Sequence, residues 1–250
     1  MRSWLILILI IPTLIGGAPP VEETEHFRFF GAPASVYKLT PIAQAGFDRI
    51  CGQLPGCGRS RGPIDVHIAE DAVAFAKQFK AGNPVIEWAA GVAFPRQSRI
   101  VLRAFGTALF NLRQTFEHEI SHILVYRAVE GRHVPRWLME GFAIYQAGES
   151  LVDHVHTAAG AAVTEHLIPF SELDRSFPNE RGARVRLAYA QSALFVRWMA
   201  KREGALGLRR LFGRIRQGDT FDKAFGEIYE LSLKEAVAIW REGFAQVATP

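Results

Sequence analysis

The 250-residue chain has two cysteines, one long apolar run near its start, and no internal repeat or low-complexity tract. It has no linker rich in proline, serine or charge that would separate independent domains. Its net charge of +4 comes mostly from scattered arginines, and no run of Lys or Arg is interleaved with aromatics, so no nucleic-acid partner is expected. Beyond the first residues no stretch is apolar enough to span a bilayer, which leaves the mature chain without a membrane span. Hydrophobic residues make up 49% of the sequence, enough to bury a core as one or two domains.

The apolar run is the first feature present. "MRSWLILILIIPTLIGGAPP" places Arg2 before apolar residues from Trp4 to Ile15, then the small residues Gly16, Gly17 and Ala18. This is the order of a secretory signal, with residues 1–18 as the signal peptide and 19–250 as the mature domain. The run falls short of the roughly 20 residues that span a bilayer, which favours cleavage over anchoring; Pro19 sits awkwardly for cleavage, and a retained tether is the alternative. The expected location is periplasmic or extracellular. In such a compartment Cys51 and Cys57 of "CGQLPGCG" close a small disulfide loop around a Pro55 turn, the alternative being two unpaired thiols. Their spacing is unlike a C-x-x-C redox or zinc pair.

Periodicity divides the mature chain in two. "EHFRFF", "PIDVHIAE", "VIEWAAGVAFP" and "RIVLR" read as strands, and "TPIAQAGFDRICGQL" and "DAVAFAKQF" as helices, the second capped by Asp71. From Thr107 onward the pattern is helical: "ALFNLRQTFEHEISHILVYRAV", "PRWLMEGFAIYQ", "RVRLAYAQSALFVRWMAKR", "ALGLRRLFGRIR", "DTFDKAFGEIYE" and "SLKEAVAIWREGFAQV". Ser232 with Glu235 forms a capping box, and Gly204 and Gly218 suit helix ends. The expected fold is α+β: an N-terminal α/β layer with a small mixed sheet (19–106), then a mainly helical part (107–250), with a cleft at the junction.

That junction holds the chemistry. In "FEHEISHILVY" two histidines and two glutamates stand among apolar residues, and charge in an apolar setting is costly unless it is paired or coordinates a metal. His118 and His122 are four apart, so on a helix they differ by about 40° around the axis and about 6 Å along it, and both imidazoles can face one ion. Glu119 lies about 100° from His118, beside the ligand face, where a carboxylate can handle a metal-bound water without binding the metal. The bland alternative is an amphipathic helix whose histidines hydrogen-bond to neighbours.

A catalytic zinc needs a third protein ligand and an open position. A metzincin would place glycine and histidine at positions that here hold Val125 and Ala128, so that class is excluded. The next helix offers Glu140, the only carboxylate in "PRWLMEGFAIY", with Pro135 before the helix and Gly141 leaving space beside it. Its alternative role is an acidic residue of a first helical turn, favoured by the macrodipole. His133, His154, His156 and His166 are weaker candidates without helical placement.

"TFEHEISHILVY" followed by "PRWLMEGFAIY" resembles the gluzincin metallopeptidases, and more closely the bacterial peptidase MA-like group, over most of the mature chain. The resemblance implies zinc held by His118, His122 and Glu140, Glu119 as general base, and Tyr189 in "LAYAQS" as a second donor to the developing oxyanion. It also implies that "GVAFP" is an edge strand able to pair with an extended peptide or protein substrate. Two departures stand out. Ile144 occupies the position where thermolysin-like members carry an aspartate, and "AAGVAFP" lacks the glutamate that grips a free amine in aminopeptidases. The resulting expectation is an exported zinc endopeptidase; the alternative is a catalytically silent relative kept as a binding or scaffold module.

Overall fold

The computed structural model describes residues 19–57, 61–79, 89–104, 109–148, 167–173 and 182–248. The expected signal peptide, the expected boundary at 106/107, and His154, His156 and His166 lie outside the described residues.

Five strands form one sheet in the order β1-β2-β3-β5-β4: β1 (Glu22–Glu23), β2 (Phe27–Phe30), β3 (Ile64–Ala69), β4 (Gly91–Phe94) and β5 (Arg99–Arg103). The central strands β2, β3 and β5 run parallel, while β1 and β4 are antiparallel to their neighbours, so the sheet is mixed as expected. The period-two alternation explains the layering. Phe27, Phe29, Ile64, Val66, Ile68, Ile100 and Leu102 are all buried, and they share one face because alternate residues point the same way. That face meets two helices, α1 (Pro33–Cys51) and α3 (Leu109–Ala128), where Phe27 makes edge contacts with Phe47 at 5.8 Å and Phe116 at 5.7 Å between centroids. The short α2 (Ala72–Ala76) covers part of the other face by packing Phe75 with Ala69 and Val101, and Asp71 caps it by accepting a hydrogen bond from the Ala74 N–H at 2.7 Å.

The first helix is longer than its pattern suggests. It starts at Pro33, not near Thr40, and runs through Pro41. Val36 and Leu39 extend the buried stripe of Ala43, Phe47 and Ile50 by two turns, and Pro41 lies on the exposed side, where water can satisfy the carbonyl of exposed Tyr37 that Pro41 leaves without a donor. Just beyond the helix Cys51 and Cys57 form the expected disulfide, with Cα atoms 5.2 Å apart.

The helical part comes next along the chain: α4 (Arg136–Ala147), α5 (Phe170–Leu173), α6 (Ala183–Gln217), α7 (Phe221–Tyr229) and α8 (Leu233–Ala248). The two helices expected on either side of Gly204 stack end to end in α6, and Gly204 adopts φ 67°, a break that an L side chain disfavours. The capping box opens α8: the Ser232 N–H donates to Glu235 Oε2 at 2.8 Å, and Ser232 Oγ accepts from the Glu235 N–H at 3.2 Å. The fold is α+β, a small mixed sheet followed by a mostly helical part.

The packing of α4 between α3 and α6 positions the polar side chains at the junction of sheet and helices. Trp137 meets Phe195 of α6 at 5.5 Å, and Phe142 meets Phe212 at 5.3 Å. At the centre of that contact a Cβ on Gly141 would clash with the backbone oxygen of Ser192, so the glycine sets how closely the two helices approach. Backbone cannot yield as a flexible side chain can. Gly141→Ala is therefore expected to destabilise the protein by about 1–3 kcal/mol, read as a lower denaturation midpoint in urea; an unchanged midpoint would show that α6 does not set the position of α4.

Candidate metal centre

Helix α3 presents both histidines from a single turn, with ring centroids 5.0 Å apart. Helix α4 brings Glu140 across to them. Its Oε2 stands 3.5 Å from His118 Nε2 and 3.6 Å from His122 Nε2, and one donor atom from each of the three residues lies within 4.8 Å of the others. The expected convergence of His118, His122 and Glu140 is therefore met, and Glu140 is a buried member of the second turn of α4 and not a solvated first-turn acid. His133, the alternative donor in the intervening loop, is exposed.

The protonation states suit a cation. Burial pushes the His122 imidazole down to about 4, and the attraction of Glu140 offsets this only in part. Burial also acts to raise Glu140, but the two imidazoles and Arg136 outweigh it and hold that carboxyl at about 2. A neutral imidazole beside an ionised carboxylate is the form in which these side chains ligate divalent metals. Two nitrogens and one carboxylate oxygen converging from two helices form a donor set that could hold a metal ion.

Glu119 does not join this cluster. It leaves α3 toward the sheet, where Gly91 opens β4. A Cβ at Gly91 would lie 2.7 Å from Thr115 Cγ2, 2.8 Å from Glu119 Cγ and 3.2 Å from Oε1, so the absent side chain makes room for Thr115 and for this carboxylate. The strand beside it has a free edge among the described strands. Arg103 N–H donates to Ala90 O, which in the register Gly91↔Leu102 makes Val92 and Phe94 the residues bonded to β5 and turns the backbone N–H and C=O of Gly91 and Ala93 outward. Tyr189 sits near the start of α6, half-buried against the main core and one turn before Ser192, where α6 touches α4 beside Glu140.

Behind the histidines a second polar group ties the helices together. Arg49 of α1 donates to both Gln146 Oε1 and Gln146 O at 2.8 Å, and lies 3.1 Å from the buried Glu117 Oε1. Arg113 reaches the same oxygen at 3.2 Å. One guanidinium thus joins α1, α3 and α4 one residue from His118. Sequence reasoning missed Arg49, Arg136 and the slot at Gly91. The i,i+4 spacing of Arg136 and Glu140 could have revealed one of them; the other two depend on contacts between elements distant in sequence.

No curated protein matches the chain in sequence. The sequence profile described as the Peptidase MA superfamily matches residues 46–246, from the last third of α1 almost to the end of α8, and so takes in the sheet strands beside the site, the helices that carry His118, His122 and Glu140, and the helices that support them. With that match spanning most of its length, the chain belongs to the Peptidase MA superfamily.

Proposed function

We propose that this protein is a zinc-dependent metallopeptidase that cleaves peptide bonds within extended substrates. The carrying observation is the convergence of His118, His122 and Glu140, with Glu119 set apart from them beside an open strand edge. When bound, zinc supplies Lewis acidity, lowering the pKa of a coordinated water toward about 7 and polarising the scissile carbonyl.

The remaining chemistry belongs to the chain. Glu119 takes the proton of the attacking water and passes it to the leaving amide nitrogen, so that one carboxylate acts first as base and then as acid. The outward N–H and C=O groups of Gly91 and Ala93 can pair with an extended peptide, laying its backbone alongside Glu119. Recognition through backbone suits an endopeptidase, and no glutamate in "AAGVAFP" offers a partner for a free amine. Tyr189 is proposed as the phenolic donor to the oxyanion. Export is proposed from residues 1–18, and the Cys51–Cys57 disulfide supports an oxidising compartment.

The deciding experiment strips the protein with chelator, reloads it with zinc and presents a mixed peptide library. The wild type is expected to take up zinc and cleave. Glu119→Gln should keep the metal and lose about 10²–10⁴-fold in kcat/KM, and Gly91→Ala should show the same signature at about 10²-fold because it displaces the same carboxylate. Zinc uptake without hydrolysis by the wild type would instead support the silent binding module. In the same assay Tyr189→Phe should lower kcat about 10²–10³-fold with zinc content unchanged, and unaltered turnover would remove Tyr189 from the mechanism. Fractionation of cells expressing the full chain should find it outside the cytoplasm, and cytoplasmic retention would overturn export.

A further inference from the structure

Arg136 is the first residue of α4, and two local rules oppose an arginine there. The N-terminus of a helix carries partial positive charge and favours anions, yet α4 has no acidic residue in its first turn. In an i,i+4 pair the carboxylate is better placed before the cation, and here the order is reversed. The Arg136 side chain is 49% exposed, so its packing alone does not demand an arginine. Local rules broken together in this way commonly mark a functional site.

What the arginine adds is on the other side of Glu140. Arg136 Nε stands 3.6 Å from Oε1, while Oε2 of the same carboxylate faces the imidazoles at 3.5 and 3.6 Å. One carboxylate thus turns its two oxygens to different partners. A carboxylate can bind a divalent ion through one oxygen or both, and each choice changes how many positions remain for other ligands.

We infer that Arg136 is a positioning residue that holds Oε1 of Glu140 away from the metal, so that Glu140 ligates through Oε2 alone and a coordination position stays free. The inference rests on the reading of His118, His122 and Glu140 as a divalent-metal centre. Its second consequence is electrostatic. The guanidinium offsets the carboxylate's charge, leaving the bound ion a stronger Lewis acid than the three ligands alone would make it. Arg136 touches neither substrate nor reacting atoms in this role.

Cobalt(II) tests this without reference to activity, because its visible absorption is strong when four-coordinate and several-fold weaker at higher coordination numbers. The chelator-stripped full chain is titrated with cobalt as wild type, Arg136→Gln and Arg136→Lys, with circular dichroism confirming the fold of each. Wild type should give the strong four-coordinate bands. Arg136→Gln, which removes the charge, should lose intensity several-fold as Oε1 swings onto the ion, and Arg136→Lys, which keeps a cation, should recover most of it. A glutamine variant with the wild-type spectrum overturns the inference while leaving the metal centre intact, and equal loss in both variants overturns it as well. A wild-type chain that takes up no cobalt overturns the metal centre itself, and the inference with it.

Discussion

Bringing a carboxylate on one helix to within 3.6 Å of two imidazoles on another, inside a mostly apolar contact, is the constraint around which this molecule is arranged. Such groups are costly to bury unless they are paired or coordinate a cation, and here they face one another. The close packing of α4 makes the approach possible. Gly141, next to Glu140, lets α4 settle against the backbone of α6, and aromatic contacts of Trp137 and Phe142 hold it there. On the other side Arg49 pairs with Glu117 of α3 and donates hydrogen bonds to Gln146 of α4, so the crossing of these two helices is fixed by polar contacts as well as by packing.

The sheet has a different task. Its parallel centre anchors α1 and α3 through Phe27, Phe47 and Phe116, while its outer strand β4 packs its backbone against α3 beside Glu119. Gly91 joins the two roles, since its backbone groups face the free edge while its missing side chain admits Glu119. The Glu119 carboxylate and the strand edge are therefore coupled by contact: a shift of β4 moves the neighbour of Glu119. Charge around the ligands is similarly divided, with Glu140 ionised between imidazoles and the guanidinium of Arg136.

Much of this could be read in the residues. The four-residue spacing of His118 and His122 requires only helical periodicity, and the helix is there; Asp71, Ser232 and Glu235 cap where their side-chain chemistry says they should. The start of α1 was harder to read because Pro41 argues locally against a helix that buried Val36 and Leu39 stabilise through tertiary contact. Tyr189 illustrates a different boundary: its place near the start of α6 comes from periodicity, but its proposed role comes from family likeness.

The sequence by itself determined the α+β order, the paired histidines, the adjoining glutamate and the candidacy of Glu140, because these depend on periods and spacings within single elements. Only the tertiary structure decided which oxygen of Glu140 faces the imidazoles, that Gly91 makes room for Glu119, and that Arg49 ties three helices together. Those facts depend on helix crossings and interatomic distances between residues up to 97 positions apart, and no local period encodes such distances.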